Sequence, residues 1–141
     1  MGYKYLDHEA DMGILTWGDT LEAAFVDGAV ALFNTMVKIE DVKAKDKVEI
    51  KCSASDVAGL FVEWLNELLT QKDIHEKFFS KFEIASIKKE KGGYSLNGYA
   101  YGESINLDNH EVKTEVKGAT YAGLKYEIKQ GKHYIQCIVD I

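Results

Sequence analysis

The first side chains able to do chemistry lie in Asp7-His-Glu-Ala-Asp11, and what they offer is mainly carboxylate. Hard oxygen donors suit Ca²⁺, Mg²⁺ or Mn²⁺ better than softer metals. Two aspartates four residues apart point to the same side of an extended chain, as they do in a helix. A second pair of carboxylates is expected at the other terminus, where Asp140 stands beside the α-carboxylate of Ile141. Like charges that close call for solvation or a bridging cation. On spacing alone, a solvated acidic loop and a solvated chain end are the readings these features favour.

Other chemistries find no matching pattern. The chain has no G-x-S-x-G elbow, no G-x-x-x-x-G-K-[ST] loop and no H-E-x-x-H helix. His8, His75, His110 and His133 are isolated, without paired ligand spacing, and are expected at the surface or partly packed. Cys52 and Cys137 sit far apart in alternating apolar stretches, the placement of buried free thiols rather than of a disulfide. All 17 basic residues are lysine. Without arginine there is no guanidinium fork for guanine edges or phosphates, so sequence-specific nucleic-acid readout is not expected. Lysines alone still allow nonspecific contacts.

Charge is unevenly placed. The net charge is −6. Residues 1–37 carry Asp7, Glu9, Asp11, Asp19, Glu22 and Asp27 against Lys4 alone. Such an acidic end attracts cations and repels phosphate.

Elements must position these groups. The 141 residues fit one domain, 1–141, large enough for a core of its own. No apolar run is long enough to cross a bilayer and no signal-peptide core opens the chain, so a cytoplasmic protein without a membrane partner is expected. Short strands are predicted over 3–6 and 12–17. Asp19-Thr-Leu-Glu22 resembles a capping box with Asp19 as the cap. Leu21, Phe25, Leu32 and Met36 then fall on one face of a helix over 20–37. Val48, Ile50 and Cys52 share one face of a strand. Ser53 and Ser55 offer caps for a second helix, whose stripe is Val57, Leu60, Phe61, Trp64, Leu65, Leu68 and Leu69. The remainder reads as strands, with Gly92-Gly93 as a two-residue hairpin turn and a last strand from about His133. The expected fold is α+β: a mixed or antiparallel sheet carrying two main helices on one face.

With the elements placed, several stretches resemble one family. Asp7-His-Glu-Ala-Asp11 followed by Trp17-Gly-Asp19-Thr-Leu-Glu-Ala-Ala-Phe25 is similar to the N-terminal signature of the archeases. Tyr101-Gly-Glu103, Glu115-Val-Lys-Gly-Ala-Thr-Tyr121 and the terminal Val139-Asp140-Ile141 resemble later family stretches. Glu9 and Gly118 depart from the usual Thr and Ala, and Ala122 stands where many relatives have His. The resemblance implies a non-enzymatic accessory protein for an RtcB-type tRNA-splicing RNA ligase, promoting its GTP-dependent guanylylation and multiple turnover. It implies a divalent-cation site at Asp11, Asp140 and Ile141, calcium first, with Mn²⁺ or Mg²⁺ as alternatives. Asp7 and Asp19 would be nearby acids of functional weight, with helix capping a competing duty for Asp19. Two other readings remain open: a metal-dependent phosphoester hydrolase, and a chaperone-like interaction module using exposed tyrosines such as Tyr99 and Tyr101.

Overall fold

The structure is a computed structural model that describes residues 2–8 and 11–141, His8 by its backbone alone; Glu9, counted above among the acids, lies outside them. Two helices and seven strands appear among these residues. In chain order they are β1 (Gly2–His8), β2 (Asp11–Gly18), α1 (Leu21–Met36), β3 (Asp46–Ala54), α2 (Val57–His75), β4 (Lys77–Glu90), β5 (Gly93–Ser104), β6 (Gly118–Lys129) and β7 (Lys132–Asp140). All strand pairs are antiparallel, as two sheets ordered β1-β2-β7-β6 and β3-β5-β4.

The α+β class and both helices match the sequence expectation, but the strands divide into two sheets, and each helix touches both. α1 packs on β2 and β4, while α2 packs on β6 and β3. The reason lies in helix faces wider than a single stripe. Besides the apolar stripe, α2 buries Val62, and α1 buries Ala24, Ala29, Ala31 and Phe33. Helices apolar on that much of their circumference need cover from more than one side. The core is aromatic: Phe25 meets Phe61 edge-on at 5.2 Å, and Phe33 lies 5.5 Å from Phe79 and 5.4 Å from Phe82. The helices cross closely because Gly28 faces the Phe61 ring, where a methyl group would overlap it. Trp64 is fully buried and donates its Nε1–H to the carbonyl of Phe25 at 3.0 Å.

Both expected helix caps move by a residue or more. Thr20, not Asp19, caps α1 by accepting from the Ala23 N–H at 3.0 Å. Gly18 lets the chain turn tightly enough for this; a Cβ there would come 2.8 Å from the Ala24 nitrogen. Asp56, not Ser53 or Ser55, caps α2 through Gly59 N–H at 2.7 Å, because β3 continues to Ala54. The β4–β5 turn also shifts, to Lys91-Gly92, with Gly92 at φ 87°. Gly93 already pairs with Glu90 and is required for a different reason: its Cβ would strike the carbonyl of Ala54.

No helix among the described residues is long and apolar enough to cross a membrane.

Candidate functional site

Strand register decides which acids meet. β2 and β7 are antiparallel neighbours with Met12 opposite Val139. One further step sets Asp11, which opens β2, opposite Asp140, which closes β7. Opposed residues of an antiparallel pair project to the same face. That face is the outer one, since Ile14, Ile135, Cys137 and Val139 line the core on the other. Asp11 is half-buried, Asp140 is exposed, and Ile141, next along, is 37% exposed. The end of β7 is held from its other side. Gly118 of β6 pairs with Asp140, and the Lys117 N–H donates to the Asp140 carbonyl at 2.7 Å.

β6 itself is pinned by α2. The Asn66 amide donates to the Ala119 carbonyl at 3.0 Å and accepts from the Ala119 N–H at 2.8 Å. Thr120 adds a hydroxyl bond to the Ile138 carbonyl at 2.9 Å. The strand ends bearing Asp11 and Asp140 are therefore fixed on three adjacent strands. Their donors are all oxygen, the set that suits Ca²⁺, Mg²⁺ or Mn²⁺. No cluster of three or more His, Cys, Asp or Glu side chains occurs among the described residues. A third protein ligand here would come from main-chain oxygen, as at Ile141.

Asp7 and Asp19 do not join this pair. The interval from Asp7 to Asp11 spans a strand reversal, so the rule for a continuous strand does not apply. Asp7 lies on β1 opposite Met12, which puts it on the helix-facing side of the sheet, away from the face of Asp11. Asp19 follows the far end of β2, roughly 25 Å from Asp11 at the rise of an extended strand. It is exposed and has no capping duty.

A polar pair that the sequence did not single out lies elsewhere. His110, expected at the surface or partly packed, is 4% exposed. Its Nδ1 accepts from the Asn106 N–H at 3.0 Å, so the ring hydrogen of the neutral form sits on Nε2 and donates to Glu103 at 2.9 Å. The ring edge rests on Phe78. Glu103 also accepts from the Lys43 N–H at 2.9 Å and pairs with Lys45 at 3.7 Å. The Lys43 bond, then the His110 bond, hold its carboxyl down to about 2. Glu103 lines a cleft of about 800 Å³ that includes none of Asp7, Asp11, Asp19, Asp140 and Ile141 in its lining. No sequence signal marks the pair, because the seven-residue interval crosses an irregular segment. His75 is exposed and His133 partly buried, as expected. Both thiols are free, Cys137 buried and Cys52 partly so, and burial pushes each up to about 12.

Fold and site together define a small two-sheet α+β module whose acidic residues converge at paired strand ends rather than in an enclosed pocket. The chain belongs to the archease family: the model of the Archease protein family (MTH1598/TM1083) matches residues 3–141. It is 37% identical over 139 residues to the archease of Methanosarcina mazei, covering 99% of this chain and 95% of that one. It is 39% identical over 140 residues to the archease of Pyrococcus abyssi, covering 99% and 98%. The solution structure of protein 1598 from Methanobacterium thermoautotrophicum superposes with a TM-score of 0.85 at 30% identity, covering 99% of each chain.

Proposed function

We propose that this archease is a cytoplasmic, non-enzymatic activator of an RtcB-type tRNA-splicing RNA ligase, and that it works through a divalent cation held at Asp11, Asp140 and Ile141. The observation that carries the cation site is the register that faces Asp11 with Asp140 on neighbouring strands. Family membership supports the ligase as partner. A bound cation would supply positive charge at the tip, enough to influence metal or nucleotide placement in the ligase. The chain's own share is to hold two carboxylates at fixed strand ends and present them outward. An activator of this kind needs higher affinity for the guanylylation-competent ligase than for the resting one, and no reacting group of its own.

The hydrolase reading draws no support from His110. His110 is buried, and both its nitrogens are engaged away from the strand ends. It is therefore not placed to take a proton from a water at Asp11 and Asp140; the register instead sets the backbone of His8 opposite Asp11.

The test is guanylylation and multiple-turnover ligation by the cognate ligase, with and without this protein. Calorimetric titration with Ca²⁺ and Mn²⁺ runs beside it. Wild type should raise both rates, and Asp11→Ala and Asp140→Ala should lose cation binding and stimulation together. No stimulation by wild type removes the ligase reading. Full stimulation by both variants removes the cation site and keeps the partner.

A further inference from the structure

The outer face of the sheet β3-β5-β4 carries a charge pattern unrelated to the strand-end acids. The helices pack on its other side, where Val48, Ile50, Leu96, Ala100 and Phe82 are buried. On the outer side the register sets Tyr101 between Lys47 and Lys81, and the next row sets Tyr99 between Glu49 and Glu83. A Lys-Tyr-Lys row thus lies directly beside a Glu-Tyr-Glu row. Lys47 rests over the Tyr99 ring at 4.1 Å and Lys81 over the Tyr101 ring at 5.0 Å. Among the described residues neither lysine has a carboxylate partner, and Glu83 has no cation.

We propose that this face is a self-association surface whose partner is a second copy of the chain. Turn a copy by 180° about an axis running across the strands, midway between the two rows. Each row then lies on the opposite row of the other copy. Lys47 meets Glu49 of the second copy, Lys81 meets Glu83, and Tyr101 meets Tyr99, with every contact made twice. Two lysine-flanked tyrosines alone would also fit a single-stranded nucleic acid stacked on the rings. The glutamate row decides between them: it repels a phosphate backbone and complements the lysine row of a second copy. The flanking rows add little bare charge, since Lys45 is paired with Glu103 at 3.7 Å and Lys51 shares Glu49 at 3.9 Å, which makes Glu83 the more available carboxylate of the glutamate row. At ordinary strand spacings the face covers roughly 450 Å² per copy, below the standard interface, so the association is transient.

The test is sedimentation equilibrium at low ionic strength, from about 10 μM to about 1 mM, the range suited to an interface of this size. Wild type should rise from 15.8 kDa toward twice that mass. Variant K47E/K81E, with two acidic rows, and variant E49K/E83K, with two basic rows, should each stay monomeric. Mixed in equal amounts they should form a heterodimer, which also shows that both are folded. Wild type that stays at 15.8 kDa throughout overturns the proposal, and so does a mixture that does not associate. Binding of a single-stranded oligonucleotide that Tyr99→Ala and Tyr101→Ala abolish, without self-association of wild type, assigns the face to nucleic acid instead.

Discussion

Replacing Glu103 by glutamine removes one charge and almost no volume, which isolates the electrostatic part of the contact between half-buried Glu103 and buried His110. The carboxylate accepts from His110 Nε2 and from the Lys43 N–H, each at 2.9 Å. A glutamine has one acceptor oxygen, so its amide nitrogen must face one of these two donors. The amide keeps its oxygen on buried His110, and the donor released is the Lys43 N–H, which is exposed and passes to water, so the cost is that of one net hydrogen bond, about 1 kcal/mol. The Lys45 pair adds little, since the Lys45 side chain is 61% exposed. The expected loss is about 1 kcal/mol at pH 7, measurable against the roughly 5–15 kcal/mol that holds a domain folded. The pH dependence gives a second handle. The folded carboxyl sits at about 2 against an ordinary 4.5. A depressed folded value means stability that is fully present above about 4.5 and lost as pH falls toward about 2. From those two values, about 40% of the contribution survives at pH 3. Urea unfolding of wild type and E103Q from pH 7 down to pH 3 should show their difference shrinking to less than half. A gap that stays constant over that range, or one below about 0.5 kcal/mol at pH 7, refutes the pairing argument.

Three further outcomes are expected. Thr20→Ala should cost about 1 kcal/mol through loss of the α1 cap, whereas Asp19→Ala should cost less than about 0.5 kcal/mol; urea melts of the two variants distinguish cap from neighbour. Gly28→Ala should destabilise by about 2–3 kcal/mol, because its methyl forces the Phe61 ring and α1 apart, and differential scanning calorimetry reads the drop in melting temperature. Burial places both thiols at about 12, so neither Cys52 nor Cys137 should react with an aromatic disulfide reagent at pH 8 until urea unfolds the chain.

Periodicity carried most of the fold into view. Phe25, Leu32 and Met36, like Leu60, Phe61, Trp64, Leu65 and Leu68, are buried where helical spacing puts them, because burial of one face dominates helix placement. The caps were less legible. Ser, Thr and Asp are near-equal acceptors, and which one caps depends on where the previous strand stops. The second sheet was hidden because strand alternation marks an inner and an outer face without saying which inner faces share a layer. At the candidate site, Asp11 and Asp140 face each other through pairing between residues far apart in the chain, which no local spacing reveals. The same ignorance of pairing made Asp7 look like a neighbour on the same face. It also left the duty of Asp19 open until Thr20 proved to be the cap. The contact between His110 and Glu103 escaped notice because a polar contact across an irregular segment leaves no period in the sequence.

The Asn66 clamp has a consequence for how any partner engages this end of the molecule. β6 is an edge strand, and an edge normally offers free N–H and C=O groups to an incoming strand. Beside the acidic tip those of Ala119 are already occupied by the side-chain amide of α2. Just beyond, the pairing register breaks between Thr120 and Lys125, with Gly123 at φ 63°, so the edge does not run straight. A visiting protein finds no backbone ladder to extend there. Recognition at the tip has to be made by side chains and shape, which makes it sensitive to single substitutions and guards the same edge against sheet-to-sheet aggregation.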